Sequence, residues 1–512
     1  KWVWVISDNR GGRWVFTEGG AWVCSGSSQR DVVHTVREGD RVTAMETSWG
    51  HKITVSYGGA RVVSAISSDG RCVRYSYDDE NRLVQVDGPD GSRRYEWDDT
   101  LITTVVDACG NAECINSYDG RGRITSQQAA NGRTVHFRYL PGGVTAASDA
   151  DGTNANTWIC DAHGRTTGVV DAHGGQVSMT YDSFGNMVRC VDRAGNVTSH
   201  RYDQRGRLTH TDLPTGGTID CSWDDLDRLV STTLANGAQT TFEYDGTERD
   251  PVRVTDPCGG VTVAEWKDGL LLRATNPVGV SLRFSYDHHA ELVRVEDAHG
   301  EASRLIRDEA GRIVETISPG GATTRFSYDD AGRLAAVVTP DGATWEHRYD
   351  VAGHLIELVA PDSGVTKWEY HPDGQISRVI DPLGRVIEHS YDHLGNLAGM
   401  QLPDGSAWSF IHDALSRLTQ VVAPDEARWT YAYDVDGNLS GVTDPAGFAR
   451  PGSLLTVSLP APPRIVTGTN STASMPIPTV LLLPSPMSLA PSRSSRVICV
   501  ADRLSFRTSL AR

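Results

Sequence analysis

The stretch "TSHRYDQRGRLTHTDLPTGG", residues 198–217, carries two turn signatures in twenty residues. Tyr202-Asp203-x-x-Gly206-Arg207-Leu208 comes first, and Leu213-Pro214-Thr215-Gly216 follows. The first phrase returns as Tyr328-Asp329-x-x-Gly332-Arg333-Leu334. It returns in part as Tyr181-Asp182-x-x-Gly185-Asn186, Tyr349-Asp350-x-x-Gly353 and Tyr391-Asp392-x-x-Gly395-Asn396-Leu397. Self-similarity at a fixed period decides an architecture before any single residue does.

Stepping by 21 residues from Tyr118 to Tyr433 visits 16 positions, and 12 of them hold Tyr or Trp. The next residue is Asp in 13, and the residue three further on is Gly in 12. A second Gly, ten residues later, keeps register in 12 and is often preceded by a Pro turn, as in Asp381-Pro382-Leu383-Gly384. Upstream the unit runs with slightly shorter steps, at Tyr57, Tyr77 and Trp97.

Each unit reads as two strands and two turns. In Tyr-Asp-x-x-Gly the Asp side chain can accept from backbone N–H groups ahead of it, and the Gly can take a positive φ. Pro in x-Pro-x-Gly presets φ for the second turn. The segments between are rich in Val, Thr and Tyr, which is strand chemistry at hairpin spacing. No convincing amphipathic helix occurs in residues 36–447. The predicted fold is therefore all-β: one long antiparallel meander of hairpins. Open twisted sheets rarely exceed about ten strands without curling, so a ribbon of over thirty (roughly 150 Å at ~4.8 Å per strand) should coil on itself into a shell or solenoid. Tyr residues of neighbouring units would sit roughly 10 Å apart, so they are expected to pack between strands rather than on one another. Tyr181, Asp182, Gly185, Tyr202, Asp203, Gly206, Arg207, Tyr328, Asp329, Gly332, Arg333, Tyr349, Asp350, Gly353, Tyr391, Asp392 and Gly395 are the residues expected to set these turns.

The Tyr-Asp-x-x-Gly-Arg-Leu unit resembles the YD repeat of Rhs proteins over roughly residues 36–447. That family includes bacterial polymorphic toxins, insecticidal toxin-complex components, wall-associated proteins and animal teneurins. The resemblance implies a hollow β shell. In the bacterial toxins it also implies a variable C-terminal toxin held inside the shell, an immunity protein as partner, and a secretion system that delivers the cargo to neighbouring cells. A secreted or cell-surface location follows from the same resemblance. Many members carry an aspartate-dependent self-cleavage site after the repeats. Here Asp444-Pro445-Ala446-Gly447 falls on the ordinary second-turn register and is read as one more turn, so no catalytic residue is assigned.

Three segments follow from the repeat register. Residues 1–35, with the Trp-rich opening "KWVWVISDNRGGRWVF", read as the end of an upstream domain or a lead-in to the repeats. Residues 36–450 are the repeat array. After Gly447 the register fails: the next expected Tyr-Asp reads Leu454-Leu455. Residues 451–512 hold 9 Pro and 11 Ser, no Tyr or Trp, and one Asp against six Arg. Proline removes ladder donors, so this tail reads as disordered, either through a frameshift or as a genuine Pro-rich linker. The shell is therefore expected to be incomplete.

Net charge is −17; the tail contributes +5 (six Arg, one Asp), which leaves −22 on the rest. So acidic a ribbon excludes nucleic acid, whose binders need basic patches. The apolar run "TVLLLP" is far below the roughly 20 residues of a membrane span. Nine cysteines include one close pair, Cys109 and Cys114, and Cys160 stands in a Tyr slot, so free thiols at repeat positions are expected. His163, His173 and His299 recur in "DAHG" turns on different repeats, and His288-His289 lacks a carboxylate partner at a set spacing. No metal or other cofactor is assigned to them. No hydrolase, metalloprotease, P-loop or dinucleotide motif stands in a suitable context, so the chain is not expected to be an enzyme.

Two other readings remain open from sequence. One is a surface adhesion module in which exposed aromatics such as Trp345, Trp368, Trp408 and Trp429 stack on cell-surface glycans, although packing within the fold is the more frequent use of such residues. The other is a truncated pseudogene product.

Overall fold

The computed structural model describes residues 3–7, 12–26, 32–89 and 91–451. The Pro/Ser tail lies outside the described residues. Forty-four strands run from Val3–Ser7 to Ala449–Pro451, with no helix among the described residues. Each strand pairs antiparallel with the strand before it and the strand after it in sequence. The segment before residue 36 joins the same ladder, since Trp22–Gly26 pairs with Val33–Glu38.

The two hairpins of a unit differ. Val197–Tyr202 pairs with Leu208–Asp212 across the Tyr-Asp turn, and the register slips by one residue between Arg201 and Tyr202. The same bulge precedes Tyr181, Tyr328, Tyr349 and Tyr391. A bulge adds a residue to one strand and increases its twist. Leu208–Asp212 then pairs with Thr218–Trp223 in unbroken register. Both connections are three-residue loops closed alike. Asp203 N–H donates to Arg207 O and Gly206 N–H to Asp203 O, both at 3.0 Å. Leu213 N–H donates to Gly217 O at 2.8 Å and Gly216 N–H to Leu213 O at 3.0 Å. Such loops end in a left-handed residue, and Gly206 (φ 74°) and Gly216 (φ 82°) supply it. Where the repeat lacks Gly, a strained residue takes its place: Asp227, Ala290, Ser363, Ser416 and Glu426 all have φ between 58° and 67°.

Side chains alternate between two faces. In Thr344–Tyr349, Trp345, His347 and Tyr349 are half-buried while Glu346 and Arg348 are exposed. Apolar clusters form along the first face, as where Val421, Tyr431 and Val442 gather Trp408, Phe410 and Trp429. No large side chain among the described residues is below 2% exposed. The wall is one sheet thick, and burial comes from neighbours within that sheet.

The ribbon closes on itself. His289 Nδ1 donates to Trp49 O at 2.8 Å, 240 residues away. Ala194 N–H donates to Asp436 Oδ1 at 3.2 Å, 242 residues away. Asn154 Nδ2 lies 3.1 Å from His393 Nε2, 239 residues away. A coil of ~240 residues is roughly 11 repeats or ~23 strands, which at ~4.8 Å each gives a circumference of roughly 110 Å and a diameter of roughly 35 Å.

Candidate functional site

The repeated feature that shapes this wall is the joint between one unit and the next. It begins at the Asp of the Tyr-Asp turn. Asp203 Oδ1 accepts the backbone N–H groups of Arg205 (2.9 Å) and Arg207 (3.0 Å), and Oδ2 accepts Arg207 Nε at 2.7 Å. The anchored guanidinium then reaches forward. Arg207 Nη1 donates to Asp224 O in the next turn at 2.7 Å, and the group lies over the Trp223 ring, 5.8 Å from its centre. Trp223 Nε1 donates backward to Leu208 O at 2.8 Å. Asp, Arg and the next aromatic thus lace two units together in both directions.

The other units follow the same plan with exchanges. Asp329 holds Arg333 through its N–H and Nε, both at 2.8 Å; Arg333 Nη1 reaches Asp350 O at 2.8 Å and lies over Tyr349 at 4.8 Å. Asp350 holds His354 instead (Nδ1 at 2.9 Å), whose ring stacks on Tyr370 at 4.7 Å. Asp182 and Asp392 hold Asn186 and Asn396, which are too short to reach the next unit's ring. The hydroxyls of Tyr181, Tyr202, Tyr328, Tyr349 and Tyr391 donate to Thr166, Met187, Ile313, Leu334 and Ile376 carbonyls at 2.8–3.0 Å. Gly185, Gly332, Gly353 and Gly395 take φ of 92°, 81°, 91° and 87°. Tyrosines of adjacent units do not stack; where the joint carries Arg or His, that side chain lies between them.

Electrostatics follow from this geometry. Burial pushes the Asp203, Asp329 and Asp413 carboxyls up, but the N–H groups and guanidinium of the following Arg more than offset it, so each lies below the usual carboxylate value. At Asp119 the backbone N–H and then the side chain of Arg123 lower it to about 2. A depressed folded value stabilises the fold above the unfolded carboxylate range, and that stability is lost as pH falls through the folded value. Burial raises the tyrosine hydroxyls, Tyr244 to about 12.

Some members of the joint escape a strict 21-residue step. The step lands on Glu265, but Trp266 fills the aromatic slot, with Nε1 donating to Pro251 O at 3.1 Å. A one-residue insertion in the preceding turn hides it, and a search that tolerates one would find it. At Arg307 the slot has no ring; its Nη2 and Nε lie 3.3 and 3.4 Å from Leu292 O and replace the hydroxyl donor.

A second constellation is the seam between coils. Second turns of the first coil rest on Tyr-Asp turns of the next. Trp49 meets His289, His173 Nε2 lies 3.4 Å from Asp413 Oδ2, and His393 Nε2 lies 3.6 Å from Asp149 Oδ2. At Gly91 (φ 99°) a Cβ would lie 2.5 Å from Val351 O, so the seam itself requires glycine there. His163 and His299 stand on other turns, away from His173 in sequence by about ten and well over a hundred residues. Among the described residues no group of three His, Cys, Asp or Glu could hold a metal ion. Cys109 and Cys114 are not joined and stand as thiols. Trp345, Trp368, Trp408 and Trp429, which only the adhesion reading would place on an exposed surface, are half-buried; Trp408 and Trp429 stack at 6.5 Å within an apolar cluster.

The Teneurin YD-shell family model matches residues 144–344 and 280–412, which together span more than half of the 512 residues. The chain belongs to the YD-shell family of Rhs repeats. The RHS Repeat model matches this YD shell at residues 59–93 and 412–449. Among solved structures, the Tc holotoxin pore of Photorhabdus luminescens is 15% identical, with a TM-score of 0.49, covering 82% of this chain and 26% of that one. The crystal structure of TcdB2-TccC3 is 12% identical, with a TM-score of 0.44, covering 86% and 34%. The YD-shell chain thus spans about a quarter to a third of the length of those chains. No curated protein matches the chain.

Proposed function

We propose that this YD shell is a stretch of the encapsulating wall of a larger secreted toxin. The wall sequesters a C-terminal effector domain and releases it into a neighbouring cell. Its partners are that effector, the effector's immunity protein and the secretion machinery. The observation that carries the reading is the closure of the ribbon after about 240 residues into a wall one sheet thick. A compact domain fills its interior with side chains. Among the described residues this coil buries no large side chain fully, and its diameter of roughly 35 Å (from ~4.8 Å per strand) leaves enclosed space. Tyr202, Asp203, Gly206, Arg207 and their equivalents are the parts that keep the wall closed, and the work of the wall is mechanical.

The test is protection. A small protease-sensitive domain is fused after residue 450 and digested with and without intact repeats. The expected result is cleavage slowed by an order of magnitude or more. Cleavage at the rate of the free domain would sink the proposal. Glycan binding has less support, because the Trp residues it needs are half-buried and two of them, Trp408 and Trp429, lie in an apolar cluster of the sheet.

A further inference from the structure

We infer that the coil seam responds to pH, and that its two ends respond in opposite directions. The inference rests on which side chains meet across the seam and needs no cargo.

At one end three imidazoles crowd together. His289 stacks on His51 with ring centres 4.9 Å apart, and His288 lies 3.9 Å from His289. A carbonyl only accepts, so His289 Nδ1 is the donor to Trp49 O, and that bond joins the coils. Charges facing this cluster are few. Asp287 is held by the N–H groups of His289 and Glu291 in its own turn, Glu291 faces Arg307 at 3.4 Å, and Glu46 and Lys52 sit opposite each other beside the second turn. Histidine gains its charge as pH falls below about 6.5. Full protonation would set three positive rings with neighbouring centres 4.9 and 3.9 Å apart, with the nearby carboxylates Asp287, Glu291 and Glu46 engaged by backbone N–H groups, faced by Arg307 and set opposite Lys52 respectively, and like charges at such distances repel.

At the other end each histidine faces a carboxylate. His173 faces Asp413, which also holds Arg417. Its own turn contributes Asp171, already paired with Arg193. His393 faces Asp149, which Arg133 and Asn154 also contact, and Asp151 stands in the same second turn. Its own turn contributes Asp392, held by Asn396. Asp149 and Asp413 lie below the usual carboxylate value, Arg and Asn contacts outweighing burial, and so stay ionised when histidine charges. Protonation therefore adds two ion pairs at this end, the His393–Asp149 pair taking the place of the bond that His393 Nε2 accepts from Asn154 Nδ2. Mild acid opens the seam at 47–51 against 287–291 and tightens it at 149–173 against 393–413.

The test is hydrogen exchange by mass spectrometry on the full chain at pH 7.5 and 5.5, corrected for intrinsic rates, with strand Leu229–Leu234 as internal reference. At pH 5.5 the amides of 47–53 and 287–292 should lose protection several-fold. Those of 150–154, 173–175, 393–396 and 413–417 should hold or gain. His51→Asn with His288→Asn should abolish the first response and spare the second. A change of one sign along the whole seam, no change, or equal loosening of the reference strand would overturn the inference. So would persistence of the opening in the double variant.

Discussion

The second turns of the first coil and those of the second are built from different residues. Between Thr47 and Gly195 the residue after the turn's first is Ser48, Ser68, Ala108, Ala130, Ala150, Ala172 or Arg193; Pro89 sits in an irregular loop. Between Leu213 and Gly447 it is proline in ten of twelve turns, from Pro214 and Pro257 through to Pro445, with Ala235 and Ala298 the other two. The first set includes the turns on which His289, His393 and Asp436 of the next coil rest. For the second set, the residues 240 further on lie beyond residue 451, outside the described residues. Arg193 apart, Ser or Ala stands in the regular turns of the first set, where a coil sits on the turn. Proline, which narrows the unfolded chain's choices, stands where no described coil does. Contact holds one set of turns and covalent constraint holds the other.

This contrast can be broken by substitution. Asp413 serves both its own turn and the seam, whereas Asp203 serves only its turn and joint. Asp413→Ala should cost about 3 kcal/mol and Asp203→Ala about 2, from the lost bonds and the unpaired groups left behind; equal shifts in thermal midpoint would show the seam to be idle. Gly206→Val forces a bulky residue into a left-handed turn and should cost about 1–2 kcal/mol. An unchanged melting curve would disprove the turn geometry. Tyr349→Phe leaves Leu334 O without its donor and should cost about 1 kcal/mol by denaturant titration. Pro382→Ala should cost about 0.5 kcal/mol through the unfolded state, measurable as a slightly lower urea midpoint. A gain in stability instead would reverse the contrast drawn between the coils.

Much of this was legible in the sequence because its cause is local. Asp203, Gly206 and Arg207 lie within five residues, so one turn writes its own signature. The lacing partner was less visible. Leu208 O and Trp223 are 15 residues apart, at the far ends of two paired strands, and the acceptor is a backbone atom that any residue supplies. The coil period was not legible. It is set by twist summed over some two dozen strands, to which each bulge adds a little. The contact of His173 with Asp413 therefore has no local pattern to announce it. Composition alone left the tryptophans open between packing and exposure. Composition counts them, but the alternation of strand faces places them, and Trp408 and Trp429 fall on the half-buried face.

Pairing only between sequence neighbours has a consequence for synthesis. Each new hairpin can dock on the one completed just before it, so the wall can grow on the ribosome like tape wound from a spool. Nothing made later is needed until about 240 residues have emerged and the first seam contact becomes available. At roughly 5–20 residues per second, that leaves an open ribbon for about 10–50 s, the interval in which a helper protein could reach its inner face.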